Sequence, residues 1–151
     1  MKEDISSWIV GLMRTQSDAL GFIPSTSVHD KYVCAENFII QHDEHGAKVG
    51  YILHGPIRYG KNVVISQAVI DMEKRRRHYG FLAVDELVTR CKSRNASSIS
   101  LRCAADLEAV QFWQAVGFQL NDIVPGGERR GRMICRFFLP LALPLFLGEA
   151  R

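Results

Sequence analysis

The segment EKRRRHYGFLAV, Glu73 to Val84, begins as a run of positive charge and ends as the start of an apolar helix. Four consecutive basic residues, Lys74 to Arg77, are most often a solvated surface run, but they also suit nucleic acid, acidic lipid or phosphate. The segment before the run, NVVISQAVID, is apolar enough to be a strand inside a sheet. The segment after it predicts a helix from about Tyr79 to Ser93, with an apolar face made of Val84, Leu87, Val88 and Cys91.

The loop between this strand and this helix has the features of a phosphate-binding site. Backbone N–H groups of such a turn meet the positive end of the helix dipole, and together they bind an anion with little help from side chains. Gly80 has no Cβ, so an anion can approach the main chain closely there. The sequence contains neither the P-loop pattern G-x-x-x-x-G-K-S/T nor the dinucleotide fingerprint G-x-G-x-x-G, so a different phosphate loop is predicted.

The part of the chain before this stretch predicts helices and a pair of strands. Apolar residues recur at helical spacing over the first twenty residues, and Gly21 and Pro24 would stop that helix. A second, short helix is expected between Ser25 and Cys34. The segment NFIIQHDEHGAKVGYILHG then predicts two strands around a polar turn at Asp43 to Gly46.

The part after it predicts a strand, a helix and a hairpin. SISLRCA alternates apolar and polar residues as a strand does. DLEAVQFWQAVG predicts a helix with Asp106 at its N-cap and Gly117 at its C′ position. FQLNDIV and RMICRFFL flank the turn PGGERRG and predict a closing hairpin. The order α, (α), β, β, β, α, β, α, β, β describes a mixed sheet with helices on its faces.

The composition is that of one soluble domain over residues 1–151. The apolar fraction of 47% and the charged fraction of 23% exclude a disordered chain, and the net charge of +3 permits an anionic partner without requiring one. Four scattered cysteines without a C-x-x-C pair predict reduced thiols in a cytoplasmic protein. The start MKEDISSW lacks the features of a signal peptide, and prolines interrupt the longest apolar stretch, so no membrane association is expected.

The loop resembles the pyrophosphate loop of the GNAT family of acyl-CoA-dependent N-acetyltransferases. That loop reads Gln/Arg-x-x-Gly-x-Gly/Ala, and Arg75 and Gly80 match its first and last positions, with His78 in place of the middle glycine. A second register would start at Arg77. We prefer the first, because the second would put two acidic residues at apolar positions of the following helix.

The segment from Asp106 to Phe118 resembles a second block of the same family. The family has an Asn at the start of its last main helix, then Ala, then Phe-Tyr, then Gly-Phe, and this segment matches that spacing. Asp106 replaces the Asn and Trp113 replaces the Tyr. The usual first strand of the family is missing, whereas the closing hairpin matches. The resemblance covers about Val63 to Phe138.

The resemblance implies an α/β fold, a cosubstrate and a set of site residues. The sheet would be mixed and mostly antiparallel, with helices on both faces and a V-shaped splay between the strands before and after the pyrophosphate loop. Acetyl-CoA would be bound without a metal: strand main-chain groups would pair with the pantetheine amides, loop N–H groups would hold the pyrophosphate, and arginines would assist. The residues assigned to it are Ala68, Val69, Ile70, Arg75, Arg76, Arg77, His78, Tyr79, Gly80, Phe81, Asp106 and Trp113.

The activity implied is direct transfer of an acetyl group to an amine carried by a small molecule, a peptide or a tRNA. Trp113 stands where the family has a tyrosine that protonates the departing thiolate, and an indole N–H will not give up its proton. The strand before the loop offers no base on its face toward the acceptor, so a base would come from a neighbouring strand, with Glu36 and His54 as the weak candidates, or from water. Three other functions stay open: an acyl-CoA-binding module without catalysis, an acetyltransferase directed to nucleic acid, and a basic surface protein of unrelated function.

Three further features are interpreted without a role in catalysis. HDEH, His42 to His45, is read as a polar turn in preference to a metal pair. Glu128, Arg129, Arg130 and Arg132 are expected at a solvated hairpin tip. The apolar tail LPLALPLFLGEAR either packs over the sheet or forms part of a homodimer contact.

Overall fold

The computed structural model describes residues 2–16, 22–75, 77–126 and 131–141. Within these ranges lie four helices: α1 Lys2–Arg14, α2 Ser25–Ser27 continued by a π-helix over Val28–Val33, α3 Tyr79–Ser93 and α4 Ala109–Ala115. Six strands form one sheet in the order β1-β2-β3-β4-β6-β5: β1 Phe38–His42, β2 Lys48–His54, β3 Asn62–Ile70, β4 Ser98–Ala104, β5 Gln119–Pro125 and β6 Met133–Pro140. The predicted mixed α/β fold with a mostly antiparallel sheet is confirmed.

The chain forms two compact units. The first consists of Met1–Gly55 and Ser66–Leu87, and the second of Pro56–Ile65 and Val88–Arg151. β3 and α3 each run from one unit into the other. The single domain over residues 1–151 stays a prediction.

The core of the first unit joins α1 and the π-helix to β2 and β3. Its buried side chains are Ile9, Val10, Met13, Val28, Tyr32, Val33, Tyr51, Leu53 and Val69. Burying one such aliphatic side chain contributes about 1.5–3 kcal/mol relative to leaving it exposed. The apolar residues that the sequence predicts on one face of the first helix therefore pack α1 against the sheet.

The first helix is shorter than the twenty residues that the sequence predicts: α1 ends at Arg14. The N–H groups of Thr15 and Gln16 bond to the carbonyls of Leu12 and Met13 in tight turns. The Thr15 hydroxyl also donates to the Leu12 carbonyl at 2.6 Å. Thr15 thus takes the carbonyl that a further helical turn would use. Gly21, the expected stop, lies outside the described residues.

The β1–β2 hairpin is antiparallel, with Phe38 opposite Leu53. Its predicted polar turn is confirmed: Asp43 Oδ1 accepts the N–H groups of His45 and Ala47, both at 2.9 Å. β2 then approaches the end of β3 so closely that only glycine fits at position 50. A Cβ there would lie 2.6 Å from the Val69 carbonyl oxygen.

The second unit holds the other pairings of the sheet. β3 pairs in parallel with β4 from Asn62 opposite Ser98 to Val64 opposite Ser100, and β6 lies antiparallel between β4 and β5. The parallel ladder ends at the pair of Val64 and Ser100, although β4 itself continues to Ala104. The V-shaped splay stays a prediction. The closing hairpin is confirmed, and its turn at 127–130 and the tail after 141 lie outside the described residues.

No helix within the described ranges is long and apolar enough to cross a bilayer.

Candidate functional site

The end of β3 presents main-chain groups on two sides. The Asp71 N–H donates to the Val49 carbonyl of β2 at 2.8 Å, and the Val69 carbonyl also faces Gly50 of β2. Because successive strand residues direct their peptide groups to opposite sides, Ala68 and Ile70 direct theirs away from β2. Of the three residues predicted to pair with pantetheine, Ala68 and Ile70 therefore have the required orientation, whereas the peptide groups of Val69 serve the sheet.

The chain after β3 makes a tight turn before α3 begins. The Asp71 side chain accepts the Glu73 N–H at 3.1 Å, and the Asp71 carbonyl accepts the Lys74 N–H at 2.8 Å. A single 3₁₀ turn over Met72–Lys74 follows, and Arg75 is extended. This turn and the extended residue after it connect the end of β3 to the start of α3, as the strand–loop–helix pattern predicts.

His78 adopts the left-handed backbone conformation, with a φ of 67°. Non-glycine residues seldom do so, and glycine does so readily. His78 occupies the position at which the family pattern has its middle glycine. Gly80, in contrast, lies in the first turn of α3. This arrangement supports the register that begins at Arg75 over the one that begins at Arg77.

The start of α3 supplies hydrogen-bond donors. The first bond of the helix runs from the Leu82 N–H to the His78 carbonyl at 3.0 Å. The first N–H groups of any helix have no acceptor within it, and here they belong to Tyr79, Gly80 and Phe81. Together with the helix dipole they form a place where an anion is stabilised.

The arginines predicted to assist phosphate binding differ in their contacts. Arg75 bonds to the Gln16 side chain, and its Nε lies 3.4 Å from the Ile70 carbonyl oxygen. Gln16 donates to the same carbonyl at 3.1 Å. Arg75 therefore braces the end of β3 against the turn that follows α1. Arg77 is exposed, and Arg76 lies outside the described residues.

Tyr79 anchors the first turn of α3 instead of facing the loop. Its side chain is buried, and its hydroxyl donates to Glu44 in the β1–β2 turn at 2.9 Å. This hydrogen bond lowers the pKa of Glu44, while burial and then the same bond raise the pKa of Tyr79. The HDEH turn thus has a structural role, and no group of three possible metal ligands occurs in the described residues.

The two weak candidates for a base lie at one end of the β1–β2 hairpin. The His54 N–H donates to the carbonyl of Asn37, the residue next to Glu36. His54 is 1% exposed, and its Nδ1 lies 2.6 Å from the Gly55 carbonyl oxygen. Glu36 is exposed and has a φ of 58°. Because His54 is buried, its ring is poorly placed to exchange protons with solvent. The Glu36 carboxylate is exposed and is the more accessible of the two.

Sequence reasoning missed a hydroxyl pair next to the predicted pantetheine strand. The Tyr32 hydroxyl donates to Ser66 Oγ at 2.9 Å. Ser66 falls on the strand face searched for a base, but serine gives no such signal by itself. Tyr32 lies in a segment whose helix has no strong pattern, so its distance to β3 could not be read from the sequence.

In the second unit, Asp106 does not cap α4. The helix begins at Ala109, and its N-cap is Glu108, which makes no side-chain cap hydrogen bond. Asp106 instead accepts two hydrogen bonds from Arg132, from Nε at 3.2 Å and Nη2 at 2.9 Å. The Arg132 side chain lowers the pKa of Asp106. The N-cap prediction is wrong because the charge-assisted pair with Arg132 replaces the bond to the helix.

Trp113 packs inside an aromatic cluster. It is 6% exposed, and its ring meets Phe112 and Phe118 edge to face at centroid distances of 5.0 and 5.3 Å. Gly117, the next turn along, has the predicted C′ conformation, with a φ of 107°. Core packing, the default interpretation of this stripe, accounts for these contacts.

The strand–loop–helix geometry and the sheet order define an acyltransferase-like α/β protein, and sequence comparison agrees. The Acetyltransferase (GNAT) family profile matches residues 9–118. Since this is more than half of the chain, the protein belongs to the GNAT acetyltransferase family. No curated protein matches the sequence significantly.

Solved structures share the fold at low sequence identity. Ard1 from Thermoplasma volcanium is 18% identical, with a TM-score of 0.78 and 93% of both chains covered. The ribosomal-protein-S18-alanine N-acetyltransferase from Escherichia coli is 13% identical, with a TM-score of 0.72 and 93% and 88% covered. Rv2747 from Mycobacterium tuberculosis, solved in complex with CoA, is 15% identical, with a TM-score of 0.73 and 93% and 96% covered.

Proposed function

We propose that the protein is an acetyl-CoA-dependent N-acetyltransferase that transfers acetyl directly to an amine. The observation that carries this proposal is the left-handed turn at His78 followed by the start of α3. This turn gives a main-chain phosphate site the shape that the family pattern obtains with glycine. The CoA-bound neighbour and the family membership support the same cosubstrate.

The residues present fit the parts of CoA. The N–H groups of Tyr79, Gly80 and Phe81 would hold the pyrophosphate. Peptide groups of Ala68 would pair with the pantetheine arm, and exposed Arg77 would supplement the phosphate charge. Asp106 and Trp113 stay proposed cofactor residues on the family pattern alone.

Bound acetyl-CoA supplies an acetyl group activated as a thioester. The task of the protein is then to hold this group and an amine in reactive geometry, which by itself can supply a large part of the rate enhancement. The accessible carboxylate of Glu36 is the proposed proton acceptor, and a weak one. We therefore expect a slow enzyme that favours amines already deprotonated near neutral pH.

Calorimetry with CoA, followed by an assay of thiol release from acetyl-CoA with added amines, tests the proposal. CoA should bind and raise Tm, since any ligand of the native state does so by mass action. Absence of CoA binding would refute the proposal. Affinity for tRNA that falls steeply with salt, without a Tm shift from CoA, would favour a nucleic-acid-binding protein.

A second candidate is a CoA-binding module without catalysis. The observation that favours it is the burial of Trp113 where the family has a tyrosine hydroxyl. Such a module would bind CoA and acetyl-CoA but would release no thiol above background with any amine. Thiol release under the same conditions would exclude it.

A further inference from the structure

Two tyrosines of the first unit donate hydrogen bonds to neighbouring side chains of β3. Tyr32 donates to Ser66 Oγ at 2.9 Å, and Tyr51 donates to Gln67 Oε1 at 2.6 Å. Both rings lie in the same hydrophobic core. The two acceptors differ, because Gln67 is buried and Ser66 is exposed. The hydrogen bond from Tyr51 is therefore buried at both ends, whereas the hydrogen bond from Tyr32 has its acceptor at the surface of β3.

The segment that carries Tyr32 has an uncommon backbone. Its π-helix makes bonds from residue i+5 to residue i: the Cys34 N–H donates to the His29 carbonyl, and the Asn37 N–H donates to the Tyr32 carbonyl, both at 2.8 Å. π-helical turns are rare and occur frequently at functional sites. Here the wide turn holds the Tyr32 ring in the core while its hydroxyl reaches β3.

The direction of the Tyr32–Ser66 bond leaves a donor at the surface. A phenol is more acidic than an aliphatic alcohol, so Tyr32 donates and Ser66 accepts. The hydrogen of the Ser66 hydroxyl can then be donated to a ligand. Hydrogen bonds in a chain polarise one another, so accepting from Tyr32 makes Ser66 a better donor.

The position of Ser66 along β3 matches the length of the pantetheine arm. This inference rests on the proposed function, which puts the pyrophosphate at the loop after Ile70. An extended pantetheine arm is about as long as five residues of strand, since both are extended chains of similar bond lengths. An arm that runs back along β3 from Ile70 past Ala68 therefore ends near Ser66.

We infer that Ser66 receives the sulfur end of CoA and that Tyr32 positions and polarises Ser66. During transfer the amine nitrogen forms a bond to the acetyl carbon, the C–S bond breaks, and its electron pair stays on sulfur. Ser66 donates a hydrogen bond to that sulfur without giving up its proton. The amine loses its extra proton to Glu36, the weak acceptor proposed above, or to water, and the thiolate later takes a proton from water. Ser66 is thus a catalytic residue, and Tyr32 is a positioning residue.

Titration of the CoA thiol in the complex tests this without an acceptor. A donor at sulfur favours the charged form, so the thiol pKa of bound CoA should be lowered. Thiolate formation is followed by its ultraviolet absorbance as pH is raised. Ser66→Thr and Ser66→Val are the matched pair, because the two side chains have nearly the same shape and only Thr keeps the hydroxyl.

The expected result separates the two variants. Ser66→Thr should leave the thiol pKa near the wild-type value, and Ser66→Val should raise it by about one unit, the size expected for losing one hydrogen bond to a charged group. Tyr32→Phe should raise it by less, and Tyr51→Phe, which removes the enclosed hydroxyl of the same core, should leave it unchanged. The Tm and the Kd for CoA at neutral pH are measured for each variant. A variant that keeps both values is correctly folded, so a change in its thiol pKa is not a folding defect.

Turnover with acetyl-CoA and glycinamide, the smallest mimic of a peptide amino terminus, gives the second measurement. Ser66→Val should lower kcat by about 10- to 100-fold with little change in KM for acetyl-CoA, and Ser66→Thr should restore it. Equal thiol pKa values and equal kcat in the Thr and Val variants would overturn the inference while leaving the proposed function intact. No CoA binding by the wild type would overturn both. A Ser66-dependent thiol pKa without turnover of glycinamide or of any other amine tested would uphold the sulfur site and refute the transferase.

Discussion

The loop Arg75–Gly80 and the segment Asp106–Phe118 each match half of a family pattern, and they depart from it in different ways. In the loop, His78 replaces a glycine and still adopts its left-handed conformation. In the later segment, the replacing side chains have partners of their own: Asp106 pairs with Arg132, and Trp113 packs between Phe112 and Phe118.

The difference follows from what each region contributes to a site. The loop offers main-chain N–H groups, and any residue that can reach the required φ keeps them in place. The later segment would contribute side-chain groups, and replacing Asn by Asp or Tyr by Trp changes what can be donated or accepted. We therefore expect the loop to retain its CoA-binding role, whereas the contribution of the later segment is reduced.

The largest expected effect is that of Gly80→Glu. The added carboxylate would meet the pyrophosphate at the start of α3 and should lower CoA affinity at least about 100-fold by bulk and like charge. The fold should survive, because a negative charge in the first helical turn complements the helix dipole. Gly80→Ala is the control, since the family pattern accepts Ala there. Calorimetry measures both, and unchanged affinity in the Glu variant would refute the assignment of this loop.

Trp113→Tyr tests the other side of the comparison. The smaller ring leaves part of the aromatic cluster unfilled, so stability should fall by about 1–2 kcal/mol, with a Tm loss of roughly 2–8 °C. kcat should not fall at temperatures where the variant stays folded. Trp8→Tyr, in the contact with Tyr51, controls for the substitution itself.

Either of two results would contradict this interpretation of Trp113. A tenfold rise in kcat confined to Trp113→Tyr would show that a hydroxyl at this position reaches the reacting atoms. A collapse of turnover with unchanged Tm and CoA affinity would show that the indole itself is catalytic.

Substitutions at His78 test how far the backbone controls the loop. A β-branched residue is a poor occupant of the left-handed region, so His78→Val should cost about 1–2 kcal/mol and lower CoA affinity about tenfold. His78→Gly should bind CoA at least as tightly as the wild type. Asn95, with a φ of 57°, offers the control. Asn95→Val should lower Tm but leave CoA affinity unchanged, and equal affinity losses at both positions would refute a local role for His78.

The sequence predicted most of the fold because its signals are local. The helix Tyr79–Ser93 was marked by the spacing of its apolar face, and the strand Asn62–Ile70 by its run of apolar residues. The middle position of the loop could be recognised only as a mismatch, since the left-handed φ of His78 is set by the connection between strand and helix.

Contacts between residues far apart in the chain could not be predicted in this way. Nothing local marks Arg132 as the partner of Asp106, and the N-cap prediction failed for that reason. The Tyr32–Ser66 pair spans two elements and arises only when the π-helix packs on β3. Side-chain sites therefore depend on tertiary structure more than main-chain sites do.

The smallest expected effect is that of Asp106→Asn, which restores the family residue. The amide can both donate to and accept from pantetheine, so CoA affinity should stay equal or rise by no more than several-fold. Asp122→Asn removes another ion pair of the second unit, with Arg136 on the adjacent strand, and should leave CoA affinity unchanged. The Tm of Asp106→Asn also depends on pH. Because pairing with Arg132 lowers the pKa of Asp106 in the folded protein, its stabilisation is complete above the ordinary carboxyl pKa of about 4 and is lost as pH falls through the folded value. The small Tm difference between wild type and variant at pH 7 should therefore shrink in acid, and a difference that grows in acid would contradict the pairing.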